Sequence, residues 1–174
     1  MKNNNRPFFK YLAYVLLIIL MCVLQSTPKL LPVVWGSKPF LLLSMALAVT
    51  AYEDFIPSVI TAAVCGIFAD CNSGGTIGYF AISFTIVCAL VWSLSGLYLN
   101  ATLFTFIVTS AAAVVAVLGV HFILFRLIAG VPDAGALFAG HYLSRMGLTL
   151  LCAVPLYVVT GFLHRSFTAK GSLY

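Results

Sequence analysis

The chain has 174 residues, with nine Lys or Arg and four Asp or Glu, so charged residues make up 7% and hydrophobic residues 63%. Ordinary soluble domains carry about 25% charged residues, so this composition excludes a water-soluble domain, while the high apolar content excludes disorder and the long unbroken apolar runs exclude an outer-membrane barrel. The formal net charge of +5 is dispersed, with three cations in the N-terminal tail and the others at segment ends, which is headgroup anchoring rather than nucleic-acid binding.

The remaining class is an all-α, polytopic membrane bundle. At about 20 residues per span the chain holds about six transmembrane segments in a single domain over 1–174. Lys2, Arg6 and Lys10 precede the first segment, 11–25. Its exit, Leu24-Gln25-Ser26-Thr27-Pro28, has no small-x-small cleavage site, and Met21 is too large to precede a lipoprotein Cys22. It reads as a retained span. Pro28, Pro32, Gly36 and Pro39 break helix propagation in a loop that offers Trp35 as an interfacial anchor. Segment two, 40–52, ends at the acid pair Glu53-Asp54, and segment three, 55–69, carries Pro57 in its first turn. The polar run from Asp70 to Thr76 reads as a turn before segment four, 77–97, and Asn100 marks a tight turn before segment five, 101–128. Residues 129–145 read as a second sizeable loop, with Asp133, His141 and Arg145, before segment six, 146–163, which contains Pro155.

The acid pair decides the segment count. A single span over 40–69 would put Glu53 and Asp54 near the bilayer centre, at a cost of roughly 5–7 kcal/mol on insertion scales. Two short helices joined by a solvated acidic turn avoid it, although segment two reaches only about 20 Å. Counting cations does not discriminate, because Lys2, Arg6, Lys10, Arg165 and Lys170 inside stand against Lys29, Lys38, Arg126 and Arg145 outside. Six segments with both termini cytoplasmic is the expectation.

Polar chemistry is sparse. Glu53, Asp54, Asp70 and Asp133 all fall at segment ends, where a hydrated turn is the simplest reading. Asp70 directly follows an apolar run and precedes glycines, so it is placed to cap the next helix or to pair with Arg126 or Arg145. His121, His141 and His164 lie in no metalloprotease spacing, and the five cysteines show no CxxC spacing. The Gly74-Gly75-Thr76-Ile77-Gly78 stretch lacks the lysine of a phosphate-binding loop. With no catalytic constellation, no cofactor and no metal are expected. Ala112, Ala116 and Gly119 form a small-residue stripe in segment five. Such stripes let helices approach closely in lipid, either inside the bundle or against a partner's transmembrane helix.

The order of features along the chain resembles the bacterial rod shape-determining protein MreD family. A loop leads to Lys38-Pro39-Phe40-Leu41-Leu42-Leu43, similar to the family's Pro followed by an aliphatic run. Gly66-Ile67-Phe68-Ala69-Asp70 is like its Gly-Leu-x-x-Asp, and Gly78-Tyr79-Phe80-Ala81 like its Gly-x-x-Ala. His141-Tyr142-Leu143-Ser144-Arg145 then leads into a span with Pro155-Leu156-Tyr157. The resemblance covers nearly the whole chain. The acid pair at 53–54 and the sparse charge after Asp70 depart from it.

The resemblance implies a non-enzymatic, multi-pass protein of the bacterial cytoplasmic (inner) membrane, a scaffold of the elongation (rod) complex that maintains cell shape and lateral peptidoglycan synthesis. Its implied partner is an MreC-type single-span protein, and through it the MreB filament and the peptidoglycan synthases. Candidate structural or partner-contact residues are Asp70, Gly66, Gly78, Ala112, Ala116, Gly119, Arg145 and Pro155. The implied architecture is similar to that of energy-coupling-factor S-components, so the alternative is a vitamin-binding transporter subunit. Against it, segment one has no clear small-xxx-small docking face, and the loops lack an obvious polar-aromatic pocket.

Overall fold

The computed structural model describes residues 6–27, 38–73, 78–98, 103–128, 135 and 138–168. Among the described residues, six α-helices of ten or more residues follow in order: α1 (Arg6–Ser26), α2 (Leu41–Thr50), α3 (Phe55–Ser73), α4 (Tyr79–Tyr98), α5 (Leu103–Phe122) and α6 (Leu143–Thr168). Single π-helical turns at Ile123–Leu127 and Phe138–Tyr142 extend α5 and lead into α6. There is no strand among the described residues. Among the described residues four stretches are long and apolar enough to cross a membrane: Phe9–Ser26, Phe55–Ser73, Leu103–Phe125 and Gly140–Ser166. Leu41–Thr50 and Tyr79–Leu94 are shorter apolar helices.

The shortest helix is the centre of the bundle. All ten residues of α2 are buried, and it packs against α1, α3, α4, α5 and α6. Its sequence, LLLSMALAVT, is apolar all round, as a helix enclosed by protein must be. At 1.5 Å per residue it is about 15 Å long, half of a roughly 30 Å hydrocarbon core. It tolerates that length because its ends meet protein polar groups. The Phe40 N–H donates to Thr149 Oγ1 (3.0 Å) and the Leu42 N–H to Gln25 Oε1 (3.2 Å). Ser44 Oγ donates to the Thr149 carbonyl (2.9 Å), and Thr50 Oγ1 to the Ala46 carbonyl (2.8 Å). Each such group left unpaired in an apolar interior would cost several kcal/mol.

By contrast α1 is peripheral: among its described side chains only Tyr14 and Ile18 are buried, and a broad face of Leu, Val and Ile is turned outward. Consecutive helices alternate in direction. Glu53 meets Lys10, Trp92 and His164 at one end of the bundle. Ser26 meets Asn72, Asp70 meets Phe80, and Tyr79 meets Phe125 at the other.

Several boundaries differ from the sequence expectation. α3 continues through Asp70 to Ser73, because the Asp70 side chain turns inward to bond α4 rather than facing a hydrated turn. Helical structure before segment six begins at Phe138 rather than 146. Tertiary contacts hold this part of the expected loop: Tyr142 packs edge-on against Phe122 (5.1 Å), and Arg145 lies over Phe40 (4.5 Å). Trp35, the glycine-rich residues 74–77, Asn100 and Asp133 lie outside the described residues.

Candidate functional site

The polar side chains collect at the two ends of the bundle. At the first, Glu53 follows the last turn of α2, and its N–H still donates to the Val49 carbonyl (3.0 Å). Its side chain is only 4% exposed. Lys10 Nζ on α1 lies 2.6 Å from Oε1 and 2.8 Å from Oε2. Tyr14, one helical turn on, donates its hydroxyl to Oε1 (2.8 Å), and His164 Nε2 on α6 lies 3.8 Å from the same oxygen. The Glu53 carbonyl accepts from Trp92 Nε1–H of α4 (3.2 Å) and from Ser58 Oγ of α3 (3.3 Å). One residue thus ties α1, α3, α4 and α6 together. The solvated-turn reading is corrected for Glu53, while Asp54 beside it is exposed. Beside this cluster, burial and the neighbouring Tyr157 push the Tyr52 hydroxyl above its ordinary value. The Tyr52 ring occupies space that a side chain at Gly161 would take.

At the second end, Asp70 on α3 accepts the Phe80 N–H at Oδ1 and the Ala81 N–H at Oδ2, both at 3.0 Å. These are leading donors of α4 that its own turns cannot satisfy, and a carboxylate there also meets the positive end of the helix dipole. One turn before Asp70, Gly66 lets the α4 backbone lie directly on α3: a Cβ there would overlap Ala81 Cα and come within 2.6 Å of the Phe80 carbonyl oxygen. Gly78, at φ +91°, makes the left-handed entry into α4. Gly66, Asp70 and Gly78 are therefore one device that locks α3 to the start of α4. Asp70 spends both oxygens on it.

Arg145 lies on the first turn of α6, with its guanidinium carbon 4.5 Å from the centroid of Phe40. It is not paired with Asp70. Beside it, His121 Nδ1 and the Tyr142 hydroxyl share a hydrogen bond (3.0 Å), and the His121 ring stacks on Phe80 (5.3 Å). Pro155 is exposed on the outer side of α6. Ala112 and Ala116 are exposed on α5, and nothing lies within 4 Å of a Cβ built on Gly119. The small-residue stripe therefore faces outward and does not pack within the bundle.

Sequence reasoning missed Lys10, Tyr14 and Glu53 as a unit. In a chain with four acids, a buried acid needs a cation, but the choice of Lys10 depends on where α1 docks. The five cysteines are free thiols. Among the described residues no group of three His, Cys, Asp or Glu is placed to hold a metal. The Glu53 and Asp70 groups join helices to one another, while the apolar faces of α1 and α5 look outward.

Comparison with known proteins gives one family. The model of the rod shape-determining protein MreD matches residues 5–158. Neither a curated protein nor a solved structure matches the chain.

Proposed function

We propose that this chain, which belongs to the rod shape-determining protein MreD family, is a non-enzymatic scaffold of the elongation complex in the bacterial cytoplasmic membrane. In this reading it holds an MreC-type single-span partner, and through it the MreB filament and the peptidoglycan synthases. The family match over nearly the whole chain carries the proposal. The physical support is the division of labour in the bundle: its described polar groups are used mainly to join its own helices, and its free surface is apolar and helical. A partner is then met within the membrane, by helix packing.

The outward stripe of Ala112, Ala116 and Gly119 on α5 is the contact we assign to that partner, since small residues allow two backbones to approach closely in lipid. Both termini face the cytoplasm, with Lys10, His164 and Arg165 on that side. The test is co-purification of the full chain with an MreC-type protein from a shared membrane. Wild type is expected to retain it, and Ala112→Leu/Ala116→Leu to lose it while keeping its own thermal stability. A chain that runs alone, or that carries a tightly held vitamin through purification, overturns the scaffold reading.

A further inference from the structure

We propose that Arg145 forms a binding site for the phosphate of an anionic phospholipid at the Asp70 end of the bundle. The inference concerns this protein alone and does not rest on partner binding.

Arg145 is half-buried, and its Nε is fully covered with no hydrogen-bond partner among the described residues. The contact the structure gives its guanidinium is the face of Phe40 at 4.5 Å. That platform is rigid. The Phe40 ring is held by Phe80 (5.0 Å) and Phe84 (5.6 Å), and its backbone N–H by Thr149 Oγ1. Stacking satisfies the flat face of a guanidinium but none of its five N–H donors, which lie in the plane.

No described carboxylate meets them. Both oxygens of Asp70 are engaged by Phe80 and Ala81, and Glu53 is bound to Lys10 at the opposite end, where Asp54 also lies. A half-buried cation without a counter-charge among the described residues is costly, because its low-dielectric surroundings stabilise the charge less than water does. A second cation is close in the chain: Lys38, half-buried, lies two residues before Phe40.

Depth identifies the anion. The apolar stretch that runs through the π-helical turn into α6 begins at Gly140, so Arg145 lies about 7.5 Å along the helix from that boundary. From there an arginine reaches the headgroup layer, where phosphodiesters are the abundant anions, and its planar fork fits two phosphate oxygens. A zwitterionic headgroup would bring a second positive charge to the site, and the Asp70 carboxylate that could face it is already engaged. An anionic lipid therefore fits better.

The experiment follows thermal unfolding of the delipidated full chain in neutral detergent, titrated with phosphatidylglycerol, phosphatidylcholine or inorganic phosphate. Phosphatidylglycerol is expected to stabilise at lower concentration than phosphatidylcholine, and inorganic phosphate not at all. Arg145→Gln should weaken the apparent phosphatidylglycerol affinity about tenfold or more, the worth of a charge-assisted hydrogen-bond pair. Arg165→Gln, an exposed cation at the other end, should leave it unchanged. Should Arg145→Gln fail to fold, Arg145→Lys keeps the charge without the fork and should still lose severalfold. Undiminished affinity in the folded Arg145 variant overturns the proposal, as does an equal loss in Arg165→Gln, which would mean diffuse surface charge. Stabilisation by inorganic phosphate to the same extent would make it a free-anion site, and an affinity raised tenfold by Asp133→Asn would mean an internal carboxylate already fills it.

Discussion

Glu53 is the residue on which the first end of the bundle depends. Its carboxylate is covered, so the pair with Lys10 is in the regime where losing one partner strands a buried charge. Glu53→Gln should therefore cost about 3–5 kcal/mol, read as unfolding in detergent, and the double variant with Lys10→Met should recover part of it. Asp54→Asn, exposed one residue away, should stay within about 0.5 kcal/mol of wild type. The locking device at the other end behaves differently. Asp70→Ala removes acceptors from two α4 donors and should cost about 1–2 kcal/mol, whereas Asp70→Asn keeps one acceptor and should cost less. Gly66→Ala meets backbone rather than a yielding side chain, so it should part α3 from α4 at about 1–3 kcal/mol. Equal stability of Gly66→Ala and wild type would show that the two helices are not pressed together there. Asp70 could be read as a cap from its place between an apolar run and glycines. Glu53 looked like a hydrated turn because its neighbour is one, and only the docking of α1 separates them.

Among the elements, α2 and α1 are opposites that composition alone makes look alike. Both are apolar runs, but α2 is enclosed on every side while α1 touches the bundle along one narrow edge. Truncation tests the difference. Leu43→Ala, at a fully buried position, should cost about 2–5 kcal/mol through the cavity it leaves. Leu12→Ala, on the outward face of α1, should cost under about 1 kcal/mol. Comparable losses at the two positions would mean that α2 is not the central helix. The shortness of segment two was legible in the sequence from the interrupting acids. Its protection by Gln25 of α1 and Thr149 of α6 was not, because those bonds join residues 17 and 109 positions apart.

For the whole molecule, alternating helices put Lys10 and His164 together at one end and leave Cys71, beside Asp70, exposed at the other. In the proposed orientation, with both termini cytoplasmic, Cys71 would face the exterior. In a variant that keeps Cys71 as its sole thiol, a membrane-impermeant maleimide should label it from outside the cytoplasmic membrane. Labelling solely from the cytoplasmic face would reverse the orientation. The same arrangement turns the α5 stripe to the surrounding lipid, where a neighbouring helix can reach it.

The sequence by itself determined that this chain is an all-helical membrane protein, and the ordered motifs from Pro39 to Pro155 pointed to its family. Those conclusions rest on composition and on local order, which survive without knowing how helices pack. Only the tertiary structure decided that α2 is the core, that Glu53 is a buried hub, that Gly66, Asp70 and Gly78 act together, and that the small-residue stripe faces outward. Each of these depends on which helix faces which, and in an apolar chain nearly every face is greasy enough to be buried. The sparse polar groups choose among the packings, by pairing across distances in sequence that no local pattern records.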